Sequence, residues 1–235
     1  MQYPGGKTRA IRGIVGALQA AGVTGPFWEP FCGGLGASIG LTKAFGPGLH
    51  SDANEALIAL YCAVQDGWQP PERVSEEEYR AAKALPRSNP LHAFCAAGCS
   101  FAAKWWGGYA RNSKGQNYAG RTRRALLRDC ALISRPFVAD FCSSVPFFGP
   151  GFVYCDPPYA GTLPYRGAPP FDHAAFWQKA EEWSTFCPVF VSECAAPEGW
   201  RCVWQASLAS QVSGGNGGGR VGTERLFILD ERAAA

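Results

Sequence analysis

Apolar residues at Ile11, Ile14, Val15, Leu18 and Ala21 recur at the spacing of one helical face, and they predict a helix over residues 7–21 that Gly22 ends. Phe27-Trp28 predicts a short strand. A glycine-rich turn over residues 31–36 follows, then a helix over about 37–44. Leu49-His50-Ser51 reads as a second strand ending at Asp52. Asn54 is placed to cap a helix reaching residue 65, with Leu57, Ile58, Leu60 and Tyr61 along it. Residues 26–66 therefore alternate strand and helix, which argues for a parallel sheet with helical crossovers.

The alternation then breaks. Residues 67–135 hold Pro70-Pro71, helical stretches over about 76–85 and 91–103, a Gly/Asn/Tyr-rich loop over 107–120 and a basic helix over about 121–133. This stretch reads as an insertion between sheet strands. Strand patterns resume at 136–141, 152–155 and 189–192, with a crossover helix over 172–186 capped by Asp172. Residues 201–206 and 224–230 are expected to close the sheet as antiparallel strands. The run SGGNGGGR at 213–220 cannot pack a core and is expected to form a loop.

The 235 residues are 47% hydrophobic, enough for one large domain or a domain with an insertion. No apolar run reaches the ~18 residues of a membrane span, and the first residues lack the apolar stretch of a signal peptide. An intracellular protein is expected. The ten cysteines are scattered without a CxxC pair, and the three histidines, His50, His92 and His173, stand apart. Buried thiols in a reducing compartment are the simpler reading, and no metal site is expected.

Net charge is only +3, but it is unevenly spread. From Tyr79 to Arg128 there are ten Lys/Arg and no Asp or Glu, interleaved with Trp105, Trp106, Tyr109 and Tyr118. A solvated helix face normally mixes signs. A purely basic, aromatic segment points instead to a polyanion.

The chemistry concentrates in four short motifs. Asp156-Pro157-Pro158-Tyr159 follows an apolar strand, and the prolines end that strand abruptly because neither can donate to a ladder. They leave a carboxylate, a rigid carbonyl and an aromatic face at the carboxyl end of a strand, where open α/β sheets bind ligands. A carboxylate and a carbonyl can both accept from an exocyclic NH2, while a ring stacks on the heterocycle that carries it. Glu29-Pro30-Phe31-Cys32-Gly33-Gly34-Leu35-Gly36 is a glycine turn between strand and helix. It lacks GxGxxG spacing, and the chain has no GK[ST], so neither a dinucleotide fingerprint nor a P-loop is supported. Asp52, about twenty residues on at the end of the next strand, can bind both hydroxyls of a ribose. Tyr3-Pro4-Gly5-Gly6-Lys7 feeds a helix start with a lysine, which suits a carboxylate-bearing ligand.

Taken together and in this order, these motifs resemble the D12 class of N6-adenine-specific DNA methyltransferases, the DNA adenine methylase family. The resemblance rests on residues 3–7 with Arg9, 29–36, Ser51-Asp52-Ala53-Asn54 with Leu57-Ile58, and 156–159. It is good over about 1–66 and 136–193, weaker over 67–135 and very weak after about 195. It implies an α/β, Rossmann-like S-adenosylmethionine-dependent methyltransferase sheet. Residues 1–66 and 136–235 would form the catalytic domain, and 67–135 a mostly helical, inserted target-recognition domain. S-adenosylmethionine would be the cofactor and double-stranded DNA the partner, with no membrane or metal, in a monomer or weak dimer of prokaryotic or phage-infected cytoplasm.

Residue by residue, the resemblance implies that Tyr3 and Lys7 contact the methionine end of the cofactor. Glu29, Phe31 and Gly33 would form the cofactor turn, with Asp52 on the ribose. Asp156, which also borders the cofactor, and the Pro157 carbonyl would accept the adenine N6 hydrogens, and Tyr159 would stack on the base. Lys104, Arg111, Asn112, Lys114, Asn117, Arg121, Arg123 and Arg124 are the expected DNA contacts. The family's turn often reads Phe-x-Gly-x-Gly, and Leu35 stands here at the second glycine's place. An RNA base methyltransferase is the alternative, since Asp-Pro-Pro-Tyr also occurs in RNA guanine methylases. The long gap between Gly33 and Asp156 favours DNA, because an uninterrupted alternation of strands and helices is far shorter. A catalytically silent DNA-binding module is a further alternative, but every key motif residue is present.

Overall fold

The computed structural model describes residues 6–111, 115–142, 151–161, 171–209 and 221–230. Seven strands in these residues form one sheet in the order β3-β2-β1-β4-β5-β7-β6. β1 (Phe27–Glu29) is parallel to β2 (Leu49–Asp52) on one side and to the middle strand, β4 (Phe152–Cys155), on the other. β3 (Phe137–Val138) continues the parallel run beyond β2, and β5 (Val189–Glu193) continues it beyond β4. β7 (Val221–Leu229) is antiparallel to both β5 and β6 (Trp200–Ala209). Strand order reverses between β1 and β4, so the crevice beyond their carboxyl ends is a topological switch point.

The central strands are buried on both faces, which is why they read as apolar runs without alternation. Their parity still sorts the core. Phe27, Phe152, Tyr154, Phe190 and Leu226 face α1 (Ile11–Ala20) and α2 (Ser38–Phe45). Trp28, Val153, Cys155, Val189, Val191 and Phe227 face α7 (His173–Ser184). On α7, Phe176, Ala180 and Trp183 are spaced along one helical stripe and fully buried. The helix starts as its sequence foretells, with Asp172 Oδ1 accepting from the Ala175 amide at 3.0 Å.

A third core cluster joins α3 (Glu55–Gln65) to the segment that follows it. Leu57, Leu60 and Tyr61 of α3 pack with Tyr79 of α4 (Glu76–Ala82), Ala93 of α5 (Pro90–Ala93) and Leu126 of α6 (Tyr118–Cys130). Cys32 and Leu35 of the glycine turn belong to the same cluster.

Several element boundaries differ from expectation for identifiable reasons. The helix expected over 7–21 opens with a separate 3-10 turn, Lys7–Arg9. The one expected over 91–103 is broken. α5 runs into a π turn, Phe94–Gly98, where a Cβ on Gly98 would meet Thr122 Cγ2 at 2.4 Å, so α6 presses directly on this backbone. A 3-10 turn, Phe101–Ala103, follows. α6 begins at Tyr118 rather than Arg121, because Asn117 Oδ1 accepts from the Gly120 amide at 3.0 Å. β3 shrinks to two exposed residues, since Asp140 Oδ1 accepts from the Cys142 amide and turns the chain away. Asn54 stands at the N-cap of α3, yet its side chain makes no cap; its Oδ1 accepts from Arg87 instead. The antiparallel closing strands are present, and the glycine loop at 213–220 lies outside the described residues. No helix of the described residues is long and apolar enough to cross a membrane.

Candidate active site

Because β1, β2, β4 and β5 are parallel, their carboxyl ends share one edge of the sheet. That edge gathers the glycine turn, Asp52, the Asp156–Tyr159 motif and Glu193. β7 runs the other way, so its early residue Glu224 reaches the same edge.

The glycine turn is fastened to β2 and α3. The Cys32 amide donates to the Ser51 carbonyl at 2.9 Å, the Gly33 amide to Asp52 Oδ2 at 2.8 Å, and the Tyr61 hydroxyl to the Gly33 carbonyl at 2.6 Å. Asp52 Oδ1 accepts from the Asn54 amide at 2.8 Å. Each Asp52 oxygen thus takes one backbone bond and keeps lone-pair capacity for a further donor. Burial pushes the Asp52 carboxyl up, and these two amides oppose the rise.

Leu35 has a φ of 64°, the left-handed value for which the family's second glycine is suited, and its side chain is buried. Gly36 has a different task. A Cβ there would lie 2.8 Å from the Lys7 backbone nitrogen, so its bare Cα lets the segment carrying Lys7 cross the turn.

Lys7 is consequently buried at the centre of the site. Its Nζ lies 2.7 Å from Asp156 Oδ1, 3.5 Å from Glu224 Oε1 and 4.5 Å from the Tyr159 ring centroid. The Tyr159 hydroxyl donates to Glu224 Oε1. The next amide, of Ala160, donates to Glu193 Oε1 at 2.6 Å. Burial pushes the Asp156 carboxyl up to about 7 against the pull of Lys7, and Glu224 and Glu29 add to the rise. Burial also disfavours the Lys7 ammonium, but Asp156 and Glu224 outweigh it and hold its pKa above the ordinary value. The tyrosine is kept neutral, first by burial and then by the adjacent carboxylates.

The expected residues therefore divide. Lys7, Asp156 and Tyr159 come together, with Pro157 buried between the last two. Gly33 and Asp52 are joined directly. Glu29 is buried and hydrogen-bonded to His50 Nδ1 at 2.8 Å, beneath the turn. Phe31 lies among Phe141, Phe171 and Phe176. Tyr3 lies outside the described residues, as do Asn112 and Lys114. Sequence reasoning missed His50, Glu193 and Glu224. For Glu224 a cue existed: it shares strand parity with the inward Leu226 and Ile228, an acid on an otherwise apolar face.

The basic segment is acid-free in sequence but not in space. Arg111 pairs with Glu76, Arg123 and Arg124 approach Glu72 at 3.6 Å, and Arg87 meets Glu55 at 2.8 Å. The uniform basic surface expected from the sequence is thus partly neutralised by acids from outside the window, Glu72 and Glu76 close to it and Glu55 from α3. Arg123 also donates to the Pro70 carbonyl and Gln69, and Asn117 caps α6 while donating to the Glu72 carbonyl. Lys104 is exposed, and Arg121 lies 5.4 Å over the Tyr118 ring. A cleft of about 240 Å³ is lined by Ser100, Phe101, Gln116, Tyr118 and Arg121. Phe101 is 61% exposed. No group of metal-ligating side chains occurs among the described residues.

The sequence model of the family described as D12 class N6 adenine-specific DNA methyltransferase matches residues 3–89. That range holds Lys7, the glycine turn and Asp52, and stops well before Asp156. No curated protein sequence matches the chain. Among solved structures, an rRNA methyltransferase of Streptomyces viridochromogenes is 15% identical with a TM-score of 0.43, over 96% of this chain and 86% of that one. A magnesium protoporphyrin IX methyltransferase of Synechocystis PCC 6803, solved with S-adenosylmethionine, is 10% identical with a TM-score of 0.43, over 96% and 80%. Overlaps this loose say nothing about substrate.

Proposed function

We propose that this protein transfers a methyl group from S-adenosylmethionine to the exocyclic N6 of adenine in duplex DNA. The observation that carries the reading is the convergence of Asp156, Pro157 and Tyr159 with Lys7 at the switch-point edge, beside the turn that Asp52 fastens. The family match over residues 3–89 supports it, because it covers the cofactor half of that edge.

The residues present fit the cofactor. The turn offers close backbone approach at Gly33, and Asp52 keeps acceptor capacity suited to paired ribose hydroxyls. The bound cofactor supplies an electrophilic sulfonium methyl. The rest is the work of the chain. The N6 lone pair of adenine is delocalised into the ring and is a poor nucleophile. Asp156 and the Pro157 carbonyl accept hydrogen bonds from the two N6 hydrogens, drawing the nitrogen toward tetrahedral geometry and freeing its lone pair. Once N6 is methylated it loses one of those hydrogens as a proton, with Asp156 the adjacent acceptor. Positioning and electrostatics then supply most of the rate. An adenine inside a duplex is out of reach, so it must be flipped out, and Tyr159 replaces part of the lost stacking. Residues 67–135 are the target-recognition segment in this reading, with Lys104 and Arg121 on its outer face.

The test is incorporation of labelled methyl from S-adenosylmethionine into duplex DNA, with Asp156→Ala as control. N6-methyladenine in wild-type reactions and none in the control is expected. Label in RNA or protein but not in DNA overturns the proposal. Sequencing methylated DNA from cells expressing the protein would identify the target site.

A further inference from the structure

Asp156 Oδ1 is already engaged, by Lys7 at 2.7 Å. The proposed chemistry needs that carboxylate to accept a substrate N–H. Asp156 keeps lone-pair capacity beside that bond, but an ammonium this close weakens the carboxylate as an acceptor unless a second anion shares its charge. Glu224 is that anion. Its Oε1 lies 3.5 Å from Lys7 Nζ, its side chain is 11% exposed, and the same oxygen accepts from the Tyr159 hydroxyl. Glu193, on the adjacent strand, holds the following amide. Two carboxylates from neighbouring strands thus grip Tyr159-Ala160, one at the ring and one at the backbone.

A purely structural anchor for a tyrosine hydroxyl does not require a charge. Placing a second buried acid beside Asp156 is unfavourable unless the shared cation repays it, which makes Glu224 hard to account for by packing alone. We propose that Glu224 is a positioning residue for the transfer reaction. It orients the Tyr159 ring through its hydroxyl, and it shares the Lys7 ammonium so that Asp156 stays a strong acceptor for the substrate amino group. This role rests on the function proposed above and lies in the part of the chain that the family match does not reach.

The groups that face Asp156 are Lys7 from the 3-10 turn, Glu29 from β1, Tyr154 from β4, Tyr159 and Glu224. Around Glu224 lie Lys7, Tyr154, Asp156, Tyr159 and Cys194, with Arg225 beside the last. Within this set Glu224 raises the Asp156 pKa and Lys7 lowers it, so removing Glu224 leaves Lys7 to hold Asp156 more firmly.

The test compares wild type, Glu224→Gln, Glu224→Ala and Tyr159→Phe as full chains. Methyl transfer to DNA is followed across pH, cofactor binding by calorimetry and folding by thermal melting. Glu224→Ala is expected to lower kcat by about 10²-fold, the cost of misplacing a reacting group, with cofactor affinity nearly unchanged. Glu224→Gln keeps an acceptor for Tyr159 without the charge. It should fall between wild type and Glu224→Ala in kcat, and the acidic limb of its rate profile should move to lower pH. Adding Tyr159→Phe to Glu224→Ala should cost less than the product of the single losses. Active wild type with unchanged kcat and pH profile in both Glu224 variants overturns the positioning role and leaves the proposed function standing. A loss confined to melting temperature does the same. A wild type that methylates no adenine in DNA overturns the function, and this role with it.

Discussion

The Gly33 amide donates to Asp52 Oδ2 at 2.8 Å, joining the turn after β1 to the end of β2. Asp52 therefore does two things at once, shaping the turn and presenting acceptors to whatever the turn holds. Asp52→Ala strands the amides of Gly33 and Asn54 and should cost about 2 kcal/mol of stability, measurable by urea denaturation. Cofactor affinity should fall further, by at least about tenfold in calorimetry, because ligand acceptors are lost together with turn geometry. Equal affinity in the variant would remove Asp52 from the cofactor site.

The pH dependence follows from Asp156. With its carboxyl pushed up to about 7 by burial, kcat/KM should rise with pH below that value and level off above it, since the ionised form is the one needed. Lys7→Met removes the cation that opposes the rise, so the limb should move to higher pH. Stability runs the other way. The folded pKa lies above the ordinary carboxylate value of about 4, so the contribution of Asp156 to folding is complete below about pH 4 and is lost as pH rises toward 7. Asp156→Asn should flatten that part of the denaturation-versus-pH curve.

Leu35 and Gly36 separate strain from space. Leu35→Gly relieves a left-handed backbone worth about 1–2 kcal/mol but removes a buried side chain worth about 2–5 kcal/mol, so a net loss of stability is expected. Gly36→Ala should lower stability, because its new Cβ would lie 2.8 Å from the Lys7 backbone nitrogen, which cannot swing aside as a side chain would. The displaced Lys7 backbone should also lower methyl transfer. Melting curves and initial rates on the two variants distinguish these outcomes.

The basic segment should not respond evenly to neutralisation. Lys104→Ala and Arg121→Ala should each reduce the salt slope of DNA binding by about 1, as expected for one phosphate contact. Arg123→Ala removes a side chain tied to Pro70, Gln69 and Glu72. It should lower the melting temperature more than the slope. Binding titrations at several salt concentrations decide between these outcomes.

The switch-point edge was legible because its signals are local. Phe152 to Cys155 is an unbroken buried run halted by two prolines, and Asp52 closes a short strand directly before a helix. The salt network was not legible, because it depends on which strands become neighbours. Nothing near Tyr159 in sequence points to Glu224, 65 residues away, or to Glu193, 33 residues beyond Ala160. The charge reading failed in part for the same reason. Glu72 and Glu76 sit just outside the acid-free window and fold back onto its arginines. The break in the helix expected over 91–103 followed from close contact between Gly98 and Thr122, which helical periodicity does not encode.

Helix α3 has two faces of consequence. Its apolar residues are covered by residues 67–135, while its Tyr61 hydroxyl holds the Gly33 carbonyl at 2.6 Å. One rigid rod thus underlies both the segment assigned to DNA and the loop assigned to the methyl donor. Any coupling between the two through α3 is symmetrical by thermodynamic linkage. The factor by which DNA alters donor affinity must equal the factor by which the donor alters DNA affinity.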